Sequence, residues 1–359
     1  MRWSLLAAVS TSPLMMLSLI GLASAQAPEG QRISGPFVHE NLALYFIHGK
    51  SAPGKVPLTL EEAMAKGVVK VRETSNVNQL EIENVGSEPV FIQSGDIVKG
   101  GKQDRVLTLS LLLVPNSGRV PIASFCVEQG RWSARGGEEA ARFSSAREAM
   151  PSMSALLAMS APPVEARAAR QSLELAQPRA FDSDEVAARQ RKVWDAVANT
   201  QRKLSSGLKA SVASPRSTSS LQLSLENEKL REARAAYLSA LRPTGEKDAD
   251  IVGYVVAING QMRAANVYPS NTLFRKMWEK QLAAAVTESI GDKAAATPAT
   301  AAPAPPKAGE FLANAEKGKT YERALAAGMH QETRDADSAL YNEARGADGN
   351  WIHRSYLAK

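Results

Sequence analysis

Residues 99–105 contain the residue types needed to bind an anion. They read Lys-Gly-Gly-Lys-Gln-Asp-Arg, and the two glycines would let the backbone approach a ligand closely, while Lys102 and Arg105 can hold its negative charge. The spacing from Gly95 to Lys102 is one residue too long for a phosphate-binding P-loop, and Gln103 stands where that motif needs Ser or Thr. We therefore exclude a P-loop NTPase, and two interpretations remain: an anion site, or a β-turn with solvated charges.

Residues 126–132 form a second polar cluster, at the end of a predicted strand. They read Cys-Val-Glu-Gln-Gly-Arg-Trp, and strand alternation places Cys126 and Glu128 on one face. A carboxylate beside a thiol can serve as the general base for a nucleophile. The same residues can instead form a Glu128–Arg131 ion pair beneath Trp132. No histidine lies nearby in the sequence to activate the thiol.

The remaining residue types give no metal or cofactor motif. The one cysteine excludes a disulfide framework and a cysteine-based zinc site. None of the patterns HxxxH, HxH and HExxH is formed by the four histidines, which are His39, His48, His330 and His353. The motifs GxSxG and GxGxxG are also missing. The sequence therefore predicts no metal site and leaves any cofactor unidentified.

The first 25 residues have the organisation of a secretory signal peptide. Arg2 is followed by an apolar stretch at residues 5–22 and by the small residues Ala-Ser-Ala at 23–25. A membrane anchor is the alternative, but polar residues and a proline at 10–13 interrupt the stretch, and what remains is shorter than the roughly 20 residues of a span. We expect cleavage near Ala25 and a periplasmic or secreted protein without an integral membrane segment.

The charge balance gives no support for nucleic-acid binding. Lys and Arg number 43 against 37 Asp and Glu, a net charge of +6, and the basic residues form no dense run. The length of 359 residues allows one large or two ordinary domains.

Residues 34–132 predict a β-rich region. The alternation of Leu80 and Ile82 with Glu81 and Glu83 is typical of a half-buried strand. A short helix is predicted at 58–66, with Thr59 as N-cap and Glu62 completing a capping box. Strands are predicted at 42–47, 68–71, 80–83, 90–92, 106–114 and 119–126, with the last two forming a hairpin through the loop 115–118.

The following stretches alternate between flexible, helical and strand patterns. Residues 133–180, rich in Ala, Ser, Arg, Met and Pro, predict a flexible segment with one or two short helices. Helices are predicted at 182–204 and at 225–241, and together they make up a helical region 182–241. The second helix is predicted to stop at Pro243. A strand–strand–helix unit is predicted at 251–290, with a hairpin turn at Asn259-Gly260 and a helix capped by Ser270.

The C-terminal part begins with a Pro/Ala-rich linker at 291–308, predicted to be extended and unpacked. Residues 311–329 predict a helix, and 340–345 with 351–357 predict a hairpin that docks, within 309–359, on the main domain. The whole pattern predicts an α+β fold: an antiparallel β core, either a sandwich or a partly open barrel, with helices packed on one side.

Several sequence blocks resemble one known family, the ARG and Rhodanese-Phosphatase-superfamily-associated protein (ARPP) domain family. These blocks are residues 40–42, 89–92, 100–105, 126–132, 190–194, 253–260 and 273–278. The resemblance covers roughly residues 34–290 and implies one domain there. It also implies that Lys102, Gln103, Arg105, Glu128 and Arg131 share a ligand site or a structural network. The family name associates it with enzymes of ADP-ribose and phosphate chemistry.

Two functional hypotheses follow, and whether the protein is an enzyme stays open. In the first, the cluster binds an anionic small molecule such as a nucleotide or ADP-ribose. Lys102 and Arg105 would hold the anion, Gln103 would hydrogen-bond to it, Arg131 and Trp132 would complete the pocket, and Glu128 would be the general base of a hydrolase. In the second, the cluster is a structural network in an extracytoplasmic scaffold or protein-interaction module. Its partner surface would be the Arg/Ala-rich helical region or the C-terminal tail.

Overall fold

The computed structural model describes residues 32–74, 76–131, 142–160, 162, 183–293 and 301–359. The predicted signal peptide, Trp132, most of the predicted flexible segment and part of the predicted linker lie outside the described residues. Seventeen strands are present in the described part: β1 (Arg32–His39), β2 (Leu42–His48), β3 (Leu58–Thr59), β4 (Val69–Glu73), β5 (Gln79–Asn84), β6 (Val90–Ile92), β7 (Ile97–Gly100), β8 (Arg105–Leu107), β9 (Leu111–Leu113), β10 (Arg119–Cys126), β11 (Phe143–Ser145), β12 (Ile251–Ile258), β13 (Gln261–Val267), β14 (Lys319–Ala324), β15 (His330–Asp335), β16 (Ala339–Arg345) and β17 (Trp351–Ala358).

Seven α-helices accompany these strands in the described residues. They are α1 (Leu60–Ala65), α2 (Met153–Ser160), α3 (Ser183–Gly207), α4 (Leu221–Leu225), α5 (Glu228–Glu246), α6 (Asn271–Asp292) and α7 (Pro305–Ala315). The capping box of α1 is present, because Thr59 accepts from the Glu62 amide and Glu62 accepts from the Thr59 amide. Ser270 caps α6 as predicted.

An eight-stranded antiparallel sheet forms the larger layer, in the order β1-β2-β12-β13-β17-β16-β15-β14. The predicted hairpin β12–β13 is confirmed, and both residues of its turn, Asn259 and Gly260, have positive φ. The predicted hairpin β16–β17 is also present, and β17 pairs with β13. The last strands of the chain therefore lie inside the sheet that the first strands begin.

Two smaller sheets pack around a separate apolar core. One has the order β11-β7-β8-β10-β5-β4, and the other has the order β3-β6-β9. Their inward side chains form the second core of the molecule, among them Val71, Ile82, Ile92 and Ile122. Only β3 and β6 pair in parallel among the described strands, and one sheet is nearly barrel-shaped. The prediction of an α+β fold with an antiparallel core is confirmed.

The predicted strand at 106–114 is wrong, because two strands occupy it. The chain leaves β8 at Leu107 and enters β9 at Leu111, and the two strands belong to different sheets. The loop 115–118 therefore connects β9 to β10 across sheets and does not close a hairpin. An alternating apolar pattern that continues through a change of sheet carries no signal for the switch.

The predicted end of a helix at Pro243 is also wrong, because α5 continues to Glu246. Tertiary contacts hold this last turn in place. The Trp278 indole packs against Gly245, where an added Cβ would lie 2.4 Å from the ring, and its Nε1 donates to the Arg242 carbonyl at 2.9 Å. These contacts thus offset the loss of the helical hydrogen bond that proline cannot donate.

The predicted helix at 311–329 is wrong beyond Ala315, because β14 and a short 3₁₀ turn at Ala326–Gly328 follow α7. The predicted unpacked linker is wrong from Pro305 onward, since α7 begins there and buries Ala308 and Leu312. Helices α3, α5 and α6 pack on one face of the large sheet. Helix α7 covers the opposite face, against Tyr45 and Val255. The prediction that the helices pack on one side only is therefore wrong for this helix.

Candidate functional site

The two predicted clusters meet at the β7–β8 hairpin. Strand β10 pairs with β8 so that Cys126 lies opposite Arg105, and β8 pairs with β7 so that Arg105 lies opposite Val98. Residues 99–105 therefore form a hairpin turn beside the end of β10. Glu128 and Arg131 follow directly and fold back over that turn.

The glycine pair of this turn contacts the protein's own chain. Gly100 and Gly101 both have positive φ, which favours glycine. A Cβ at Gly100 would lie 2.3 Å from the Arg142 carbonyl oxygen, and one at Gly101 would lie 2.3 Å from the Phe143 ring. The close approach expected of a ligand is thus made by the segment that leads into β11.

Arg105 lies at the centre of a buried polar network with only 1% of its surface exposed. It forms an ion pair with Glu73 at 3.5 Å and donates to the side-chain oxygen of Gln103 at 3.2 Å. Gln103 is also buried and donates to the Arg131 carbonyl. The guanidinium therefore links β8 to β4 and, through Gln103, to the segment after β10.

Glu128 and Asp104 are fully buried carboxylates that Arg131 binds. Arg131 Nε donates to Glu128 at 2.5 Å, and its guanidinium lies 3.5 Å from Asp104. Asp104 also accepts the Gly100 amide at 2.9 Å, and Arg131 donates to the Gly101 carbonyl at 3.4 Å. The Glu128–Arg131 pair that the sequence allowed is present, and it closes the hairpin turn against β10.

The Cys126 thiol is not prepared for nucleophilic chemistry. Burial raises the pKa of Cys126 to about 11, against the opposing effect of the Arg105 guanidinium. Its backbone is held by Gln190 of α3, which accepts the Cys126 amide and donates to its carbonyl, both at 2.9 Å. A thiol with this pKa is protonated at neutral pH, so it behaves as a buried apolar group.

Two predicted site residues, Lys102 and Trp132, are not among the described buried residues of the network. The Lys102 side chain is exposed, and its backbone amide donates to Glu73 at 2.9 Å. Trp132 lies outside the described residues. The buried polar atoms of the network without a hydrogen-bond partner among the described residues include Oε1 of Glu128 and Nε of Arg105. The cluster is thus brought together in space as one network, with Lys102 at its rim.

A serine–histidine pair, which the sequence did not predict, lies between the two layers. Ser110 Oγ lies 3.0 Å from Nδ1 of His353, and both residues are buried. They line a small cavity with Ser94, Thr108 and Asn342. Because 243 residues separate the pair, no local motif could reveal it.

This pair does not have the properties of a hydrolytic dyad. Burial lowers the pKa of His353 to about 3, so the ring is a weak base at neutral pH. No carboxylate is hydrogen-bonded to it within the described part of the chain, whereas a triad needs such a group to orient the ring. The pair is a neutral polar contact.

Within the described residues, one group of side chains has ligand atoms close enough to hold a metal ion: His48, Asp248 and Asp250, within 4.8 Å of one another. Both ring nitrogens of His48 are already engaged. Nδ1 lies 2.7 Å from Asp250 and 2.8 Å from an Arg32 nitrogen, and Nε2 lies 2.7 Å from Ser34. A metal ion here would have to displace these contacts and overcome the Arg32 charge.

A groove of about 750 Å³ runs between α2 and α3. Its floor includes Leu157 and Ala196, and charged side chains of α3 form its rim. Arg189 is paired with Glu185 at 2.5 Å, whereas Lys192 has no ion-pair partner in the described ranges. This volume is within the range of small-molecule pockets.

The architecture and the site define an α+β protein built from antiparallel sheets around a buried ionic hairpin network. The chain belongs to the ARG and Rhodanese-Phosphatase-superfamily-associated Protein domain family, whose model matches residues 30–357. The match extends well beyond residue 290, where the sequence resemblance ended. No curated protein and no solved structure matches the chain. Among the described helices, none combines the length and apolar character needed to cross a bilayer.

Proposed function

We propose that the protein is an exported, non-catalytic interaction module in which the Gln103–Arg105–Glu128–Arg131 cluster is a structural network. The observation that carries this proposal is the burial of Glu128, whose carboxylate is fully enclosed and bound by Arg131 at 2.5 Å. A general base must reach the proton that it abstracts, and a carboxylate in this position does not reach solvent. The buried, protonated Cys126 beside it supplies no nucleophile.

The partner surface in this proposal is the groove along α3, which belongs to the Arg/Ala-rich helical region. Lys192 and Arg202 at its rim are exposed and have no ion-pair partner in the described part of the chain. The lining also includes apolar side chains of α2 and α3 and one exposed acidic residue, Asp195. An acidic protein segment with apolar side chains complements both features.

A binding test on this surface needs a defined probe. We suggest fluorescent peptides rich in Glu, Leu and Phe, titrated with chain 26–359 and followed by anisotropy. We expect binding that Lys192→Glu and Arg202→Glu abolish together. The matched control reverses Lys229 and Arg231 on α5, which are equally exposed and lie outside the groove. Equal loss of binding in both double variants, or no binding at all, would contradict the proposed surface.

A second candidate function is the binding of an anionic small molecule such as a nucleotide or ADP-ribose at the hairpin turn. The exposed Lys102 beside the glycine pair favours it. Arg105 would hold the same anion only if its ion pair with Glu73 opened.

A thermal-shift screen separates the two candidates. Chain 26–359 is heated with nucleotides, ADP-ribose, sugar phosphates and divalent cations. A ligand at 100 times its Kd adds about 2.7 kcal/mol of stability, which such a screen detects. We expect no stabilisation by any of them. Stabilisation that is lost in Lys102→Ala, a variant of an exposed side chain, would overturn the first proposal in favour of the second.

Export is part of the same proposal and is tested separately. The signal-like features of residues 1–25 support it. N-terminal sequencing of the mature protein from a periplasmic or culture fraction should give Gln26 as the first residue. An intact Met1 on a protein confined to the cytoplasm would contradict export.

A further inference from the structure

The small cavity beside Ser110 and His353 is lined largely by uncharged polar side chains. It lies where β15, β16 and β17 face the turn before β7 and the connection between β8 and β9. Its polar lining comprises Ser94, Thr108, Ser110, Asn342, His353 and Ser355, among others. The space is about large enough for one water molecule. No sequence pattern indicated this cavity.

The hydrogen bonds around His353 assign its tautomer. Ser110 Oγ accepts the Ser94 amide at 3.0 Å, and among the described residues Nδ1 of His353 is the acceptor that its hydroxyl hydrogen can reach, so the hydroxyl donates to Nδ1. The ring is neutral, since burial lowers the pKa of His353 to about 3. Its one hydrogen is therefore on Nε2, which is a buried donor without a partner among the described residues.

Asn342 supplies a second donor of the same kind. Its side-chain oxygen accepts from Thr333 at 2.8 Å and from Gln331 at 3.1 Å, which fixes the orientation of the amide. The side-chain nitrogen is buried and has no hydrogen-bond partner within the described ranges. A buried donor left unpaired is costly, and two of them belong to residues that line one cavity.

We propose that this cavity is a binding site for one water-sized hydrogen-bond acceptor, either a water molecule or a halide ion. The ligand accepts from Nε2 of His353 and from Nδ2 of Asn342. It thereby bridges β16 and β17 inside a cavity that the Ser94 turn and the β8–β9 connection also line. The absence of charged side chains from the described lining suits a neutral or singly charged ligand.

Two measurements on the unmodified chain 26–359 test this assignment. Nitrogen-15 NMR of the His353 ring should show the hydrogen on Nε2, and a high-resolution crystal structure should show one atom within about 3 Å of both donors. Crystals grown with sodium bromide distinguish the two sources, because a halide gives an anomalous peak in the cavity and water does not. Either ligand supports the site, whereas an empty cavity or a hydrogen on Nδ1 would overturn it.

A matched pair of variants tests the tautomer argument in solution. Ser110→Ala removes the hydroxyl that donates to Nδ1, and Ser355→Ala removes another cavity hydroxyl that the argument does not use. We expect the Nε2–H tautomer to persist in Ser355→Ala and to mix with the other form in Ser110→Ala. The same tautomer ratio in both variants would contradict the role given to Ser110.

Discussion

At the scale of single residues, burial decides what Cys126 and Glu128 can do, because both side chains, at and just after the end of β10, are enclosed. Burial depends on what covers the strand end, and the covering groups come from distant positions such as Gln190 of α3. The Ser110–His353 pair could not be predicted either, because its two residues are far apart in the sequence. Site residues that are close together in the sequence can be predicted from it. The burial and contacts around those residues cannot.

The Cys126 thiol should be unreactive in the native protein. Its pKa of about 11 leaves little thiolate at neutral pH, and its side chain is buried. We expect no labelling by iodoacetamide at pH 7 in the folded chain and complete labelling after unfolding in urea. Mass spectrometry reads the result directly, because the chain has one cysteine. Rapid labelling of the native protein would instead indicate a nucleophilic thiol.

The glycine at the hairpin turn should be irreplaceable because of packing as well as backbone conformation. Gly101 and Gly118 have similar φ values of 58° and 64°, but only Gly101 has close neighbours, the Phe143 ring and the Glu73 carboxylate. Alanine strains the backbone at both positions, and at Gly101 overpacking adds about 1–3 kcal/mol.

Urea denaturation of Gly101→Ala and Gly118→Ala measures this difference, with Gly118 as the control for backbone strain. Equal losses in free energy of unfolding would mean that the turn has free space above it. That result would reopen the interpretation of the glycine pair as a ligand cradle.

At the scale of elements, sequence patterns located most helices and strands, and they failed where tertiary contacts decide. The apolar run at 106–114 did not reveal the change of sheet, and Pro243 did not end α5 because the Trp278 indole packs on that turn. Residues 316–329 were predicted as helix, whereas β14 finds its partner β15 only after the chain turns back. Pairing and packing override local propensity at each of these places.

The contact between α2 and α6 should make stability depend on pH. Glu288 of α6 accepts the Met153 amide at the start of α2 at 2.9 Å, and burial raises its pKa from 4.5 to about 7. The native state therefore holds more protons than the unfolded state between these values. Stability should fall as pH rises from about 4.5 to 7, by up to about 3 kcal/mol for this group.

Urea denaturation across pH 4–8 tests this effect, with Glu288→Gln as the matched variant that keeps the acceptor oxygen. His353 contributes the opposite slope, because its lowered pKa costs stability as pH falls below 6.5. The difference between wild type and variant isolates Glu288, since His353 is present in both. A difference that does not change with pH would contradict the raised pKa.

At the scale of the whole molecule, the first and last described strands share one sheet, with β1 at one edge and β17 between β13 and β16. The sequence predicted a C-terminal hairpin that docks, but nothing in its composition specified β13 as its neighbour. That choice follows from long-range register, with Ala265 opposite Tyr356. The linker composition at 291–308 did not indicate a packed helix, because proline is tolerated in the first turn of a helix such as α7.

Removal of residues 301–359 should therefore prevent folding of the remainder. It leaves the edge of β13 unpaired and exposes the apolar face that α7 covers, including Tyr45 and Val255. We expect chain 26–300 to aggregate, as measured by size-exclusion chromatography against chain 26–359. A monomeric truncated protein with an unchanged Tm would show that the C-terminal part is a separate unit.

The central claim is that the hairpin cluster is a structural network, and a double-mutant cycle on its innermost pair tests this claim most directly. The free energy of unfolding is measured in urea for Glu128→Gln, Arg131→Gln and the double variant. The exposed Arg119–Glu81 pair, 3.7 Å apart on β10 and β5, provides the control cycle.

We expect each single variant at Glu128 or Arg131 to lose about 3 kcal/mol, with a coupling of more than about 1 kcal/mol between them. The surface pair should show a coupling of about 0–1 kcal/mol. Single variants that keep the wild-type stability would contradict the account. Glu128 and Arg131 would then serve a ligand or a reaction instead of the fold.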